Sequence, residues 1–202
     1  MQVIQLEQRP VQLRGSRVAR ALLERLGWRI EFEGLPSLQG VIVAYPHTSN
    51  MDFPLAIMTK WAIGIPVHFW GKDSLFRIPL FGAWLRWVGG IPVNRNAPGD
   101  LVDQAAAHLS KCRENGSFAW LALAPEGTRS LAPGWRSGFY RLASQAGVPL
   151  GIAAMDYGRK QIRFSSFIRL SGDVQADMAA IASLLGDPQG YNPDQASPIR
   201  MA

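Results

Sequence analysis

A histidine and an aspartate, His47 and Asp52, stand five positions apart directly after an apolar run. The run at 41–45 predicts a buried strand, and a helix is predicted to begin near Asp52 with Ser49 or Asn50 as its cap. The turn between strand and helix can bring the carboxylate back to the imidazole, where it would fix the tautomer of His47 and support its protonated form. Such a pair acts as a general base. The alternative is a loop histidine followed by an acid at a helix start, where negative charge is favoured.

A second polar loop, Pro-Glu-Gly-Thr-Arg-Ser at 125–130, follows another apolar run. Gly127 allows a ligand to approach the backbone closely, Thr128 offers a hydroxyl donor, and Arg129 presents a fork suited to phosphate or carboxylate. The alternative is an ordinary polar turn with a solvated arginine. Both loops are predicted at the carboxyl ends of strands, which is the edge where α/β sheets bind ligands. We therefore expect an anion-binding loop near the histidine.

Two further cations, Lys72 and Arg95, flank predicted strands and are expected near the same edge. Taken singly, each is more commonly a solvated charge than a ligand contact. Together they would add positive charge around an anionic substrate.

Alternating strand and helix patterns predict the elements that position these residues. We expect one α/β domain over residues 1–202, with a mixed, mostly parallel central sheet flanked by helices and a surface wrap from Asp187 onward. The predicted strands are 28–32, 41–45, 67–70, 91–93, 117–124, 148–154 and 162–168. The predicted helices are 16–26, 52–62, 100–115, 138–146 and 177–185, with a broken helix at 75–88.

The charge of the chain favours an anionic partner. Its 202 residues carry a net charge of +6 and a pI of about 10, and six arginines against two glutamates lie in residues 1–30. The amino-terminal segment 1–27 therefore predicts a basic amphipathic helix, which either packs on the domain or lies on a membrane. The aromatic stretch 75–88 leaves the same two alternatives, core or membrane surface. Its residues suited to a membrane interface are Phe76, Phe81, Trp84 and Trp87, beside Arg77 and Arg86.

Several classes of protein are disfavoured by what the sequence lacks. The lone Cys112 leaves no intramolecular disulfide and no cysteine-based zinc site, so we expect no metal and a reducing compartment. Charges interrupt the most apolar stretches, so no membrane-spanning helix is expected. A Gly-x-Ser-x-Gly elbow is absent, which argues against a serine hydrolase. Basic residues do not accompany any nucleic-acid-binding signature, so no nucleic-acid partner is expected.

Four blocks in fixed order resemble the glycerophospholipid acyltransferase superfamily, whose best-known type is the 1-acyl-sn-glycerol-3-phosphate acyltransferase. The first block is the His-x4-Asp of His47 and Asp52, and the second runs from Lys72 to Arg95 through Gly-Ile-Pro-Val-Asn. The third block is matched letter for letter at 125–130, and the fourth, a Val-Pro opening a buried strand, is similar to 148–152. Pro46 and Ala124 depart from the Asn and Phe that many members carry, which leaves the acceptor more open than the chemistry.

The resemblance implies a lysophospholipid acyltransferase. His47, held by Asp52, would deprotonate an acceptor hydroxyl that attacks the thioester of acyl-CoA or acyl carrier protein, with no cofactor. The implied acceptor is 1-acyl-glycerol-3-phosphate, giving phosphatidate, with glycerol-3-phosphate and a lyso amino-acid lipid as alternatives. A silent lipid-binding module is disfavoured because both catalytic residues are present. The implied phosphate-binding set is Lys72, Arg95, Glu126, Gly127, Thr128 and Arg129.

Two further expectations follow from the resemblance. Glu126 has a second possible role, in which it braces Arg129 or the loop instead of touching substrate. Because the acceptor is a lipid, the protein is expected in the cytoplasm, attached peripherally to the inner face of the cell membrane. The oligomeric state stays open.

Overall fold

The computed structural model, which describes residues 2–4, 11–93 and 98–202, is built on an eight-stranded mixed sheet. Its strands are β1 (Gln2–Val3), β2 (Arg29–Glu31), β3 (Gln39–Tyr45), β4 (His68–Lys72), β5 (Gly90–Val93), β6 (Ala119–Leu123), β7 (Leu150–Asp156) and β8 (Gln161–Arg169). The order is β1-β8-β7-β3-β6-β4-β5, and β2 pairs with β8 beside β1. The five strands from β7 to β5 run parallel, while β7 and β8 are antiparallel. The predicted fold class, a mixed and mostly parallel sheet flanked by helices, is confirmed.

Helices cover both faces of this sheet. They are α1 (Arg17–Arg25), α2 (Asp52–Ile63), α3 (Asp73–Phe76), α4 (Phe81–Trp87), α5 (Pro98–Glu114), α6 (Gly138–Ala146) and α7 (Val174–Leu185), followed by a 3-10 turn (Pro193–Gln195). Apolar side chains of α5, α6 and α7 pack on one face, and those of α1 and α2 on the other. The stretch 75–88 is interrupted between α3 and α4, as its pattern predicts.

Strand β3 lies in the middle of the sheet and carries the first functional loop at its end. Val41, Val43 and Tyr45 point into the cluster under α5, α6 and α7, whereas Ile42 points to the opposite cluster. A strand that is buried on both faces has an almost continuous run of apolar residues, which explains why β3 could be predicted from the sequence. The register pairs Val43 with Leu123 of β6 and Tyr45 with Ala154 of β7. The loops after β3, β6 and β7 therefore emerge at one edge.

Helix α1 forms where it was predicted, but its apolar residues face two ways. Ser16 caps it by accepting a hydrogen bond from the Ala19 amide at 3.2 Å. Ala19 and Leu23 are buried against α2. The other apolar residues point to solvent and are exposed by 48–71%: Val18, Leu22 and Leu26. Two neighbouring apolar stripes therefore lie on this amphipathic helix, one packed on the domain and one exposed to solvent.

Candidate active site

His47 stands two residues past the end of β3, after a cis Tyr45–Pro46 peptide bond. Its Nδ1 lies 3.1 Å from Oδ2 of Asp52, and its side chain is 21% exposed. The structure thus brings together the two residues singled out by their spacing. Since Nδ1 is occupied by the carboxylate, Nε2 is the nitrogen left to meet a substrate proton.

Asp52 is the first residue of α2 and is 1% exposed. Its Oδ2 also accepts backbone hydrogen bonds from Thr48 at 2.8 Å and Ser49 at 2.9 Å, and its Oδ1 accepts one from the Tyr157 hydroxyl at 2.9 Å. Burial acts to raise the pKa of Asp52, but the hydrogen bonds from His47, Ser49 and Tyr157 outweigh it and lower the pKa below the ordinary 3.8. The carboxylate is therefore charged at neutral pH. No Ser49 or Asn50 cap forms on α2, because Asp52 itself binds the turn amides.

Glu126 lies beneath this turn and links it to the second loop. Its Oε2 accepts the His47 backbone N–H at 2.6 Å, and its Oε1 accepts the Ser197 backbone N–H at 2.9 Å. The side chain is 1% exposed, and burial raises its pKa against the lowering effect of these hydrogen bonds. This placement departs from the expectation that Glu126 contacts the substrate phosphate. A buried carboxylate engaged by two amides holds the backbone of His47 in place.

Two of the cations predicted to bind phosphate lie at the same edge of the sheet as His47. Lys72 is the last residue of β4, and Arg129 follows β6 in the second loop; both side chains are exposed. Among the described residues, neither side chain has a hydrogen bond or ion pair. Thr128 is half-buried, and its hydroxyl accepts the Ser130 amide at 3.2 Å. The prediction for Arg95 lies outside the described residues.

A further cation, Arg136, was not identified from the sequence. Gly127 has a φ of +68°, and a Cβ placed there would lie 2.6 Å from Nε of Arg136. Arg136 therefore lies against the loop at the position that a side chain on residue 127 would fill. Its backbone N–H donates to the Pro125 carbonyl at 2.8 Å, which ties the two segments together. Gly127 was the only signal in the sequence. A glycine in such a loop indicates that another group lies close to the backbone, but it does not identify Arg136 as that group.

The 187–202 segment crosses the same edge of the sheet, where only a surface wrap was predicted. The backbone of Asn192 donates to the Thr48 hydroxyl at 3.1 Å, and its side-chain amide donates to the Thr48 carbonyl at 2.8 Å. The Tyr45 hydroxyl donates to the Ser197 carbonyl at 3.0 Å. A Cβ on Gly190 would lie 2.6 Å from the Thr48 hydroxyl oxygen, so the segment packs directly on the turn. It therefore forms one wall of the site.

The arrangement combines a histidine oriented by a buried carboxylate with exposed positive charge at the same edge of the sheet. An imidazole fixed through Nδ1 can take a proton from a hydroxyl at Nε2 and return it to a leaving group. The cations suit a substrate that carries a phosphate near the reacting hydroxyl. Among the described residues, no group of three or more His, Cys, Asp or Glu could hold a metal ion.

Comparisons with known proteins identify the family of this chain. The sequence model of the Acyltransferase family matches residues 29–154. A chloroplastic 1-acyl-sn-glycerol-3-phosphate acyltransferase of Brassica napus is 28% identical over 153 residues, covering 73% of this chain and 43% of that protein. A chloroplastic enzyme of the same name from Arabidopsis thaliana is 27% identical over 124 residues, covering 60% of this chain and 34% of that protein. The chain thus spans less than half the length of these relatives.

A solved structure has a similar fold. The 1-acyl-sn-glycerophosphate acyltransferase from Thermotoga maritima superposes with a TM-score of 0.50 at 20% identity, covering 83% of this chain and 73% of that one. At this identity the likeness concerns the fold. Because the family match covers most of the chain and includes the first and third blocks, the chain belongs to the Acyltransferase family.

Proposed function

We propose that this protein transfers a fatty acyl group from an acyl thioester to the hydroxyl of 1-acyl-glycerol-3-phosphate, forming phosphatidate. The observation that carries the proposal is the contact of His47 Nδ1 with the buried Asp52 carboxylate, which leaves Nε2 as a general base at the edge of the sheet. Family membership supports the class of reaction. The names of the two plant relatives support the acceptor.

The reaction follows from this geometry in two proton transfers. Nε2 of His47 takes the proton of the acceptor hydroxyl as its oxygen attacks the thioester carbonyl. The resulting imidazolium is stabilised by Asp52, which lies 3.1 Å from Nδ1. When the tetrahedral adduct collapses, the carbon–sulfur bond breaks and the thiolate takes the proton from His47. The products are an ester and a free thiol, and no acyl group is attached to the protein.

The acceptor is proposed to carry a phosphate because the rim of the site is positive. Lys72, Arg129 and Arg136 border it, and a phosphate held there would place an adjacent hydroxyl near His47. Glycerol-3-phosphate shares this phosphate, whereas a lyso amino-acid lipid does not. Acyl-CoA and acyl carrier protein are both proposed as donors, since each presents a thioester.

The protein is proposed to work on a membrane surface, which it reaches through α1 and α4. Exposed apolar side chains lie on both helices or directly before them, and the most exposed are Leu80, which precedes α4, at 88%, Trp87 at 74% and Val18 at 71%. Phe76 does not belong to this surface, because it is 4% exposed beneath Gly71. Searched over the described residues, the structure has no helix long and apolar enough to cross a bilayer. Attachment on the cytoplasmic side stays a prediction.

A cavity between the segment that precedes α1, the end of α2 and the end of α4 adds to this proposed membrane face. It has a volume of about 620 Å³ and no acidic residue in its lining, which includes Arg14, Lys60, Trp61 and Trp87. The rings of Trp61 and Trp87 meet edge to face at 5.9 Å. Tryptophan and arginine side chains are suited to the headgroup layer of a bilayer, particularly an anionic one.

The catalytic proposal is tested with purified protein, acyl-CoA and a panel of lysolipid acceptors, by measuring free thiol and identifying the product by mass spectrometry. We expect phosphatidate from lysophosphatidate, and a roughly 10³-fold loss of rate in His47→Ala. His108→Ala is the matched control, because His108 is exposed on α5 and should leave the rate unchanged. Wild-type turnover equal to that of His47→Ala on every acceptor would refute the proposal.

The membrane proposal is tested by sedimentation with vesicles of neutral or anionic phospholipid. We expect binding to anionic vesicles that weakens in Trp87→Ser and in Leu22→Ser, since both remove exposed apolar area. Val174→Ser is the control, because Val174 is exposed at the start of α7 on the other face of the sheet. Equal binding of all three variants would remove α1 and α4 from the membrane face.

A further inference from the structure

Tyr157 lies outside the four sequence blocks and beyond the region matched by the family, yet it touches the catalytic pair. Its hydroxyl donates to Oδ1 of Asp52 at 2.9 Å, while Oδ2 of the same carboxylate faces His47. We propose that Tyr157 is a positioning residue that fixes the rotation of the Asp52 carboxylate and, through it, the tautomer and orientation of His47. This inference rests on the proposed acyl transfer.

The two oxygens of the Asp52 carboxylate have different hydrogen-bond partners, and this difference supports the proposed role of Tyr157. Oδ2 accepts from the amides of Thr48 and Ser49 and faces Nδ1 of His47, so it is fully engaged. Oδ1 has one hydrogen-bond donor among the described side chains, and this donor is Tyr157. Without it, a buried charged oxygen loses its partner, and the carboxylate gains freedom to turn away from the imidazole. A small rotation of this kind is costly in a site whose chemistry depends on alignment.

Tyr157 is itself held from three sides. It directly follows β7, which is paired in parallel with β3, so it emerges at the edge where His47 stands. Its backbone N–H donates to the Gln189 carbonyl at 2.8 Å. Its ring lies edge to face with Trp28 at 5.0 Å and with Tyr191 at 5.3 Å. A hydroxyl on so constrained a ring can fix the group that it binds.

The ionisation of Tyr157 does not complicate this role. Burial raises its pKa, and the negative charge of Asp52 raises it further, so the hydroxyl keeps its proton at every pH where the enzyme can work. The other titratable groups near the Asp52 carboxylate are His47, Tyr191 beside the Tyr157 ring and Glu126 beneath the turn. None of them offers Asp52 Oδ1 a replacement proton.

Tyr157→Phe tests the inference because it removes the hydroxyl and keeps the ring between its two aromatic neighbours. We expect kcat to fall roughly tenfold or more, with the KM of both substrates within about twofold of wild type. Tyr140→Phe is the matched control: the Tyr140 hydroxyl of α6 donates to Oδ2 of Asp177 in α7 at 2.7 Å, so this variant loses the same kind of hydrogen bond outside the site and should leave kcat unchanged. Equal losses in the two variants, or none in Tyr157→Phe, would overturn the proposal.

A second readout requires no turnover. The chain has three histidines, and the imidazole nitrogen-15 signals of His47 can be identified by their loss in His47→Gln. We expect the wild type to hold the tautomer protonated at Nδ1, and Tyr157→Phe to show a mixture with the Nε2 form. An unchanged tautomer in Tyr157→Phe would contradict the inference. If wild type shows no acyl transfer, the proposed function fails, while the nitrogen-15 spectra still decide the role of Tyr157.

Discussion

Asp52 and Arg129 stand at the same edge of the sheet, but the protein surrounds them in different ways. Asp52 is 1% exposed, and four donors contact its two oxygens: His47, Thr48, Ser49 and Tyr157. Arg129 is exposed, and its side chain has no hydrogen-bond partner among the described residues. The carboxylate that orients His47 is therefore fixed before substrate arrives, whereas the proposed anion-binding rim is free to adapt.

This difference fits the two tasks. Proton transfer depends on distances near hydrogen-bonding length, so alignment in advance raises the rate. Holding a phosphate depends on charge at the end of a flexible side chain, and different headgroups can be met by different rotamers. Substitutions in the fixed region should therefore change kcat, and those on the rim should change the KM of the acceptor.

The largest effect is expected from Asp52→Asn, which keeps the size of the side chain and removes its charge. We expect kcat to fall roughly 10³-fold, because the imidazolium formed during the reaction loses its stabilising carboxylate. The pKa of Asp52 lies below 3.8, so the wild-type carboxylate is charged at higher pH. The loss of kcat, measured by thiol release, should therefore persist at neutral pH and above.

The pH dependence of stability provides the control for this variant. Since folding lowers the pKa of Asp52, its ionised form stabilises the fold above the ordinary value, and this contribution disappears as pH falls through the lowered pKa. Thermal unfolding of wild type and Asp52→Asn should differ at neutral pH and converge in acid. A constant difference down to about pH 3 would show that the charge of Asp52 does not carry the effect.

An intermediate effect is expected from Glu126→Gln. The glutamine amide must point one N–H group at a backbone donor, so either His47 or Ser197 loses its acceptor in a buried place. We expect the melting temperature to fall by about 2–10 °C and kcat by roughly tenfold or more. Glu114→Gln, at an exposed glutamate ending α5, should change neither quantity. Wild-type kcat in Glu126→Gln would remove Glu126 as the brace of His47.

A smaller effect is expected on the rim. Arg129→Ala should raise the KM of lysophosphatidate about tenfold and leave the KM of the acyl donor unchanged, because an exposed cation contributes modestly to binding. The double variant with Arg136→Ala should raise the KM of lysophosphatidate further, and the product of the two single effects is not expected, because both cations border the same proposed phosphate site. Lys111→Ala is the control on an exposed cation at the end of α5. Equal increases in both KM values would withdraw Arg129 from the phosphate site.

The smallest effect is expected from salt. Raising the ionic strength from about 0.05 to 0.3 M should raise the acceptor KM roughly two- to threefold, since exposed charges are screened. At saturating acceptor, kcat should stay constant because Asp52 and His47 are shielded. If kcat at saturating acceptor falls as salt is added, the proposed difference between a fixed His47–Asp52 pair and an adaptable cationic rim is contradicted.

Most of the sheet and the contact between His47 and Asp52 follow from local patterns in the sequence. Strand β3 is an apolar run, α6 is periodic and ends before a glycine, and both were placed within two residues. The two loops could be assigned to one edge because parallel strands end together. Helix α7 begins at Val174, three residues earlier than predicted, because Asp173 caps it by accepting the amides of Gln175 and Ala176.

The partners of the pair could not be predicted in the same way. Tyr157 contacts Asp52 across 105 positions and Asn192 contacts Thr48 across 144, and no periodicity links residues so far apart. A tyrosine after a strand has the same local pattern whether its hydroxyl meets solvent or a carboxylate. The burial of Glu126 could not be predicted either, because a charged residue in a polar loop is normally exposed. Tertiary contacts decide these roles.

The wall formed by the 187–202 segment has a consequence for how the protein is made. On a ribosome that adds about 5–20 residues per second, the segment emerges on the order of ten seconds after the turn at His47. During that interval Thr48 lacks Asn192, and Glu126 lacks the amide of Ser197. The nascent chain therefore carries its histidine without the surroundings that align it, and acyl thioesters meet an organised base only after the distant segment has docked.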